Sequence, residues 1–303
     1  MLGRTRVADL KPSITLLLGV TLVSVGLSAR RQSGQFPAYE LGKGPVIAVD
    51  QGHKNPAYPG NAARAEFLKA DGYQHRPMTQ MLSSASLADA SILEMIDPIV
   101  PLSDDEVTSV VAWLQGGGSL LLVLDHYASN QSKLTSKLGV RNWGNAVAVR
   151  TDLCGPGIPG CVAEGNAAMN ILFWRSESFP GGEPKLAVLG SGGGRGYHSA
   201  DTVLGKHATT EGRGPGERIR RVAVYSGSAF EALPGGVPLL ILSRAAGGAA
   251  GWLQGAVIEV GKGRVAMFAD SGIMSGGVAA DGDQFMDNRQ FVLNIMHWLS
   301  RVL

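Results

Sequence analysis

Three separate apolar runs in this chain each stop at an aspartate. Val46-Ile47-Ala48-Val49 ends at Asp50, Ser119 to Leu124 ends at Asp125, and Arg264 to Ala269 ends at Asp270. Continuous apolar runs of four to eight residues without alternation are the mark of strands buried on both faces, and such strands belong to parallel sheets covered by helices. An acidic residue closing each run places polar groups where the buried strand emerges. In open α/β sheets that carboxyl edge is where ligands bind.

The segments between the runs support the same architecture. Asn61 to Ala70 is expected to be a helix, with Ala62, Ala63, Phe67 and Leu68 facing inward, ended by Asp71-Gly72. Tyr73–Met78 and Ser91–Ile96 follow as strands, the latter stopped by Asp97-Pro98. Ser103 and Glu106 form a capping box that starts a helix carrying Val107, Val110, Val111 and Leu114, and Gly116-Gly117-Gly118 ends it. Gly261-Lys262-Gly263 makes a tight turn between two strands. Asp287 to Leu303 is a terminal helix with Phe291, Ile295, Leu299 and Val302 on one face. The expected fold is an α/β, flavodoxin-like three-layer sandwich with a mostly parallel sheet. Residues 140–220, rich in glycine and proline and without steady periodicity, read as a loop- and β-rich insertion on a domain spanning 45–303.

The amino-terminal 29 residues have another character. Arg4, Arg6 and Lys11 precede an uncharged stretch from Ile14 to Ala29, and Leu27-Ser28-Ala29 offers a small-residue cleavage site. This is the pattern of a signal peptide or signal anchor, with residues 30–44 as a linker. The expectation is export to a periplasmic or extracellular space, with residues 14–29 as an alternative membrane tether. Cys154 and Cys161 flank Gly-Pro-Gly-Ile-Pro-Gly. In an oxidising compartment that spacing reads as a small disulfide-closed loop. Of 27 basic and 25 acidic residues, Arg4, Arg6, Lys11 and Asp9 lie in the leader, so 24 of each remain beyond it. A neutral domain gives no electrostatic reason to expect nucleic acid.

The candidate chemistry gathers at the strand ends. Asp50 and His53 share a loop, and Asp125 and His126 are adjacent. Together with Asp270, these carboxylates and imidazoles suit general acid–base catalysis, or a divalent cation held by Asp50, His53 and Asp125 that activates water. Asn55 and the start of the last helix, Asn288-Arg289, are candidate substrate contacts. The plain alternative is that an aspartate after a strand caps a helix or forms a local turn. No G-x-S-x-G elbow, HExxH or phosphate-binding loop occurs.

The run Val46 to Asn55, the helix from Leu102 through Trp113 to Gly118, the run Leu120 to His126, and the blocks Gly261–Val265 and Asp287–Phe291 resemble a bacterial branch of the class I glutamine amidotransferase-like superfamily. The resemblance covers roughly residues 44–140 and 220–303 and implies a flavodoxin-like sandwich. Members with amidotransferase activity place a cysteine nucleophile on a strand-to-helix elbow. Here the run from Ser119 leads into Asp125-His126-Tyr127 without a cysteine, which argues against thiolate-dependent glutamine hydrolysis. Two functions stay open at this point. One is an exported hydrolase of an ester, lactone, amide or glycoside. The other is a non-catalytic envelope module that binds a sugar or peptide.

Overall fold

The computed structural model describes residues 37–56, 61–125, 128–144, 172–174, 203–219, 221–223, 228–241, 251–274 and 287–303. Ser33–Leu303 forms one compact unit, and Met1–Gln32 is a separate one outside the described residues. Among the described residues no helix is long and apolar enough to cross a membrane. Cys154, Cys161 and His126 also lie outside them.

The first half alternates strand and helix: β1 (Val46–Asp50), α1 (Asn61–Ala70), β2 (Gln74–Met78), β3 (Ile92–Ile96), α2 (Asp104–Gly116), β4 (Ser119–Val123) and the short α3 (Ser132–Lys137). The second half holds β5 (Arg141–Gly144), β6 (Leu172–Trp174), β7 (Val203–Leu204), α4 (Ala208–Glu211), β8 (Arg221–Ala223), β9 (Ala229–Ala232), β10 (Val237–Ile241), β11 (Leu253–Val260), β12 (Gly263–Phe268) and the terminal α5 (Asn288–Leu299). A ten-stranded sheet follows the path β2-β1-β3-β4-β12-β11-β10-β7, with β9 and β5 joined beside β11. Its first five strands are parallel, and β11, β10 and β7 continue it antiparallel. The fold is the expected α/β sandwich around a mostly parallel sheet.

The layers follow from strand alternation. On β4, Leu121 and Val123 point into a core shared with Phe67 and Leu68 of α1 and Phe291, Ile295 and Leu299 of α5. Leu120 and Leu122 point the other way, onto Val107, Val110 and Leu114 of α2 and Leu134 of α3. Each central strand is therefore apolar on both faces, which explains the unbroken runs in the sequence.

Two expectations are corrected. On α1 the inward residues are Arg64, Phe67 and Leu68, while Ala62 and Ala63 face solvent. The reason is an ion pair: Arg64 Nη2 lies 2.6 Å from Glu94 Oε1 of β3, both groups being buried. α5 stops at Leu299 rather than Leu303. Arg301 adopts a left-handed φ of 68°, and the amides of Val302 and Leu303 both turn back to the His297 carbonyl. Within 140–220, β5 and β7 pair with strands of the main sheet.

Candidate functional site

Parallel pairing brings the strand ends to one rim. Phe268 stands beside Val123, and Val123 beside Ile96, so Asp97, Asp125 and Asp270 follow closely on neighbouring strand ends. Asp50 ends β1 on the far side of β3 at the same edge. The main chain knits these ends together. The Asp97 amide donates to the Val123 carbonyl at 2.7 Å and the Leu124 amide to Phe268 at 2.9 Å.

His53 is fixed from both sides. Its Nδ1 lies 3.0 Å from each oxygen of Asp50, and its Nε2 lies 3.2 Å from Glu106 Oε1. All three side chains are buried. When both ring nitrogens are protonated, Nδ1 donates to Asp50 and Nε2 to Glu106. Burial alone would lower the ring's proton affinity. The hydrogen bond and charge of Asp50, and then those of Glu106, outweigh that and raise the His53 pKa. Glu106 has further work. It completes the α2 capping box through the Ser103 amide and hydroxyl, both at 2.9 Å, and accepts the Leu82 amide at 3.0 Å. Burial opposes its ionisation, yet these donors and the His53 charge hold its carboxyl below the usual range. The His53 carbonyl accepts the amides of Ile99 and Val100, which pins the loop after β3 to the loop after β1.

Asp125 is engaged differently. Its Oδ2 accepts the Ser271 hydroxyl at 2.8 Å and the Ser271 amide at 3.3 Å, and its own amide donates to Asp97 Oδ1 at 3.1 Å. Asp97 sits at a left-handed φ of 55°, an uncommon conformation for a residue other than glycine. Asp270 caps the short 3-10 turn Ser271–Ile273 by accepting the Gly272 amide at 2.7 Å. Thus Asp50 meets His53, Asp125 meets Ser271, and Asp270 holds its own turn.

The expected cation set does not assemble. A histidine ligand must offer a nitrogen lone pair, and both nitrogens of His53 face carboxylates. Among the described residues no three His, Cys, Asp or Glu side chains stand together as a metal site. Of the expected substrate contacts, Asn288 is buried at the start of α5, and the Arg289 guanidinium lies 5.3 Å from the Phe67 ring centroid. Asn55 is half-buried beside the His53 loop, and its Oδ1 has no hydrogen-bond partner among the described residues.

Sequence reasoning missed Glu106 as a histidine partner, Asp97 as a member of the rim, and the Arg64–Glu94 pair. Only Glu94 left a usable signal: a carboxylate inside the apolar run Ile92–Ile96 demands a buried cation.

No protein-family model matches the chain, and no curated protein matches it in sequence. Solved structures share its fold. The mmIFT52 N-terminal domain aligns over 84% of this chain and 97% of its own, at 11% identity and a TM-score of 0.57. At that identity the likeness shows the fold alone. A ThuA-like protein from Bacteroides uniformis ATCC 8492 aligns over 88% of this chain and 95% of its own, at 11% identity and a TM-score of 0.47. The β-galactosidase from Rahnella sp. R3 aligns over 84% of this chain but 31% of its own, at 12% identity and a TM-score of 0.40. Those two scores are too low to carry a functional argument. The class that fold and rim define is an α/β sandwich whose carboxyl edge is braced by buried acids.

Proposed function

We propose that this chain is a non-catalytic binding module for a sugar or peptide. The observation that supports this reading is the His53 clamp: both nitrogens of the buried ring face carboxylates, Asp50 and Glu106, so the ring is engaged within the rim rather than turned toward a ligand. A general base needs a free lone pair within reach of substrate. The rim acids on this reading fix loops, and the loops present the ligand surface. The amino-terminal pattern of residues 1–29 supports a module outside the cytoplasm, secreted into a periplasmic or extracellular space or tethered through residues 14–29. The resemblance to the glutamine amidotransferase-like superfamily is then one of scaffold without nucleophile.

A second reading is a hydrolase of an ester, lactone, amide or glycoside. The observation in its favour is the Ser271 hydroxyl 2.8 Å from Asp125 Oδ2, with His126 next in sequence. One experiment separates the two. Purified full-length protein is screened against chromogenic esters, lactones, amides and glycosides, and in parallel for melting shifts with oligosaccharides and peptides. The binding reading expects no turnover above buffer and a ligand that raises the melting temperature. At a hundredfold excess over Kd the ligand adds about 2.7 kcal/mol. Turnover that Asp125→Asn lowers by roughly a hundredfold or more, in protein that still melts cooperatively, overturns it.

A further inference from the structure

The carboxyl edge is tied up in its own bracing, and an open cavity lies at the opposite edge of the sheet. It measures about 460 Å³, within the roughly 300–1,000 Å³ typical of small-molecule sites. The carboxyl ends of α2 and α5 converge there. Trp113, Gly116 and Gly118 come from α2 and the turn after it, Ser91 precedes β3, and Ser300 and Arg301 follow α5. We propose that this cavity is a saccharide subsite, with the half-buried Trp113 indole as the platform for one pyranose ring. The proposal rests on the binding-module reading and gives that module a ligand class and a place.

Charge decides the ligand class. Among the described residues no carboxylate lines the cavity, so a metal cation has no anchor there. The one charged lining group among them is Arg301, whose Nη2 donates to the Gly117 and Lys262 carbonyls. It offsets the partial negative charge that two helix carboxyl ends bring to the site, which disfavours an anionic ligand. What remains is a neutral site with an aromatic wall and polar rims. The Trp113 indole N–H and the Ser91 hydroxyl make no hydrogen bond within the described residues. A sugar ring matches this: an apolar C–H face for the indole and hydroxyls that both donate and accept.

The glycines support a built opening. Gly117 needs its left-handed φ of 122°. A Cβ on Gly118 would meet the Trp113 indole at 2.2 Å, so glycine there lets the ring lie on the backbone. Gly116 has neither constraint. A Cβ there meets nothing within 4 Å, because it would project into open space.

The test uses full-length protein with ¹⁵N-labelled tryptophan. Methyl glycosides, cellobiose, maltose and chitobiose are titrated while the indole N–H resonances are followed; Trp113→Phe assigns the Trp113 signal. The expected result is saturable movement of that signal with at least one saccharide. Gly116→Leu adds bulk at a lining position where a Cβ meets no protein atom, and by titration calorimetry it should weaken binding about tenfold or more, as should Trp113→Ala. Saccharide binding that neither variant weakens overturns this cavity and leaves the binding-module reading standing. No saturable movement with any probe, or movement with uridine but not with sugars, overturns the saccharide assignment. Hydrolysis of a probe by the wild type counts against the non-catalytic reading alone, since occupancy of the cavity is read from the same indole signal.

Discussion

Replacing His53 with leucine keeps most of the side-chain volume and removes the charge that the rim is built around. Two carboxylates, Asp50 and Glu106, are then left in the interior without their cation. In the native protein the ring makes contacts of 3.0 Å to Asp50 and 3.2 Å to Glu106. At about 1.5–3 kcal/mol for each charge-assisted bond, the two sum to roughly 3–6 kcal/mol. The measured cost of breaking a buried ion pair, about 3–5 kcal/mol, gives the same scale. Urea denaturation at pH 6 should show a loss of about 4 kcal/mol, or on the order of 10 °C in melting temperature. The loss should depend on pH. His53 holds its proton more tightly folded than unfolded, so its stabilisation is complete below its ordinary value of 6.5 and is lost as pH rises through the folded value. The gap between wild type and His53→Leu therefore narrows as pH rises above 6.5 through the folded value. His75 and His207, both lowered chiefly by burial, tilt the absolute curve the other way, so the difference is the readout. Adding Asp50→Asn and Glu106→Gln should restore about half of the loss, because the remaining groups are neutral and their amide oxygens still accept the Gly52 amide and one of the Leu82 and Ser103 amides, which Glu106 takes on different oxygens. A single-variant loss below about 1 kcal/mol, or a gap that does not change with pH, refutes the clamp.

Three further outcomes follow from other parts of the molecule. Arg64→Leu strands Glu94 and should cost about 3–5 kcal/mol in urea titration, whereas Arg64→Leu with Glu94→Leu should fall within about 1 kcal/mol of wild type. Asp71 accepts the Ala38 amide at 3.0 Å and the His297 ring at 2.6 Å, so Asp71→Ala should speed hydrogen exchange at Ala38 and Tyr39 about tenfold or more while β1 stays protected. Gly118→Ala should destabilise by about 1–3 kcal/mol through overpacking against Trp113, while Gly116→Ala should be neutral or stabilise by up to about 1 kcal/mol; equal effects of the two would remove the close indole contact from the account.

The buried glutamate of β3 shows where sequence reading stops. Its position inside an apolar run announces a partner but cannot choose between Arg64 and any other cation, because the two residues meet only when α1 lies across the sheet. The same holds for Glu106. Its spacing from Ser103 identified the capping box, a local bond between residues three apart. That its second oxygen reaches His53 depends on the loop after β1 folding under the start of α2. Ala62 and Ala63 were expected inside for their apolarity. The ion pair with Glu94 turns Arg64 inward instead.

What the sequence by itself determined are the features set by neighbours along the chain. The apolar runs define strands buried on both faces, the capping box starts α2, the glycines end it, and the alternation of strand and helix forces a sandwich with a shared carboxyl edge. Only the tertiary structure decided what the rim residues do. The aspartates at three strand ends could equally have faced a cleft or the loops beside them. Asp50 and Asp270 met donors within three residues of themselves, but pairing across strands, β12 beside β4, set the donor that Asp125 met. Asp125 is held by the hydroxyl of a residue 146 positions away in the chain, a separation no local pattern encodes.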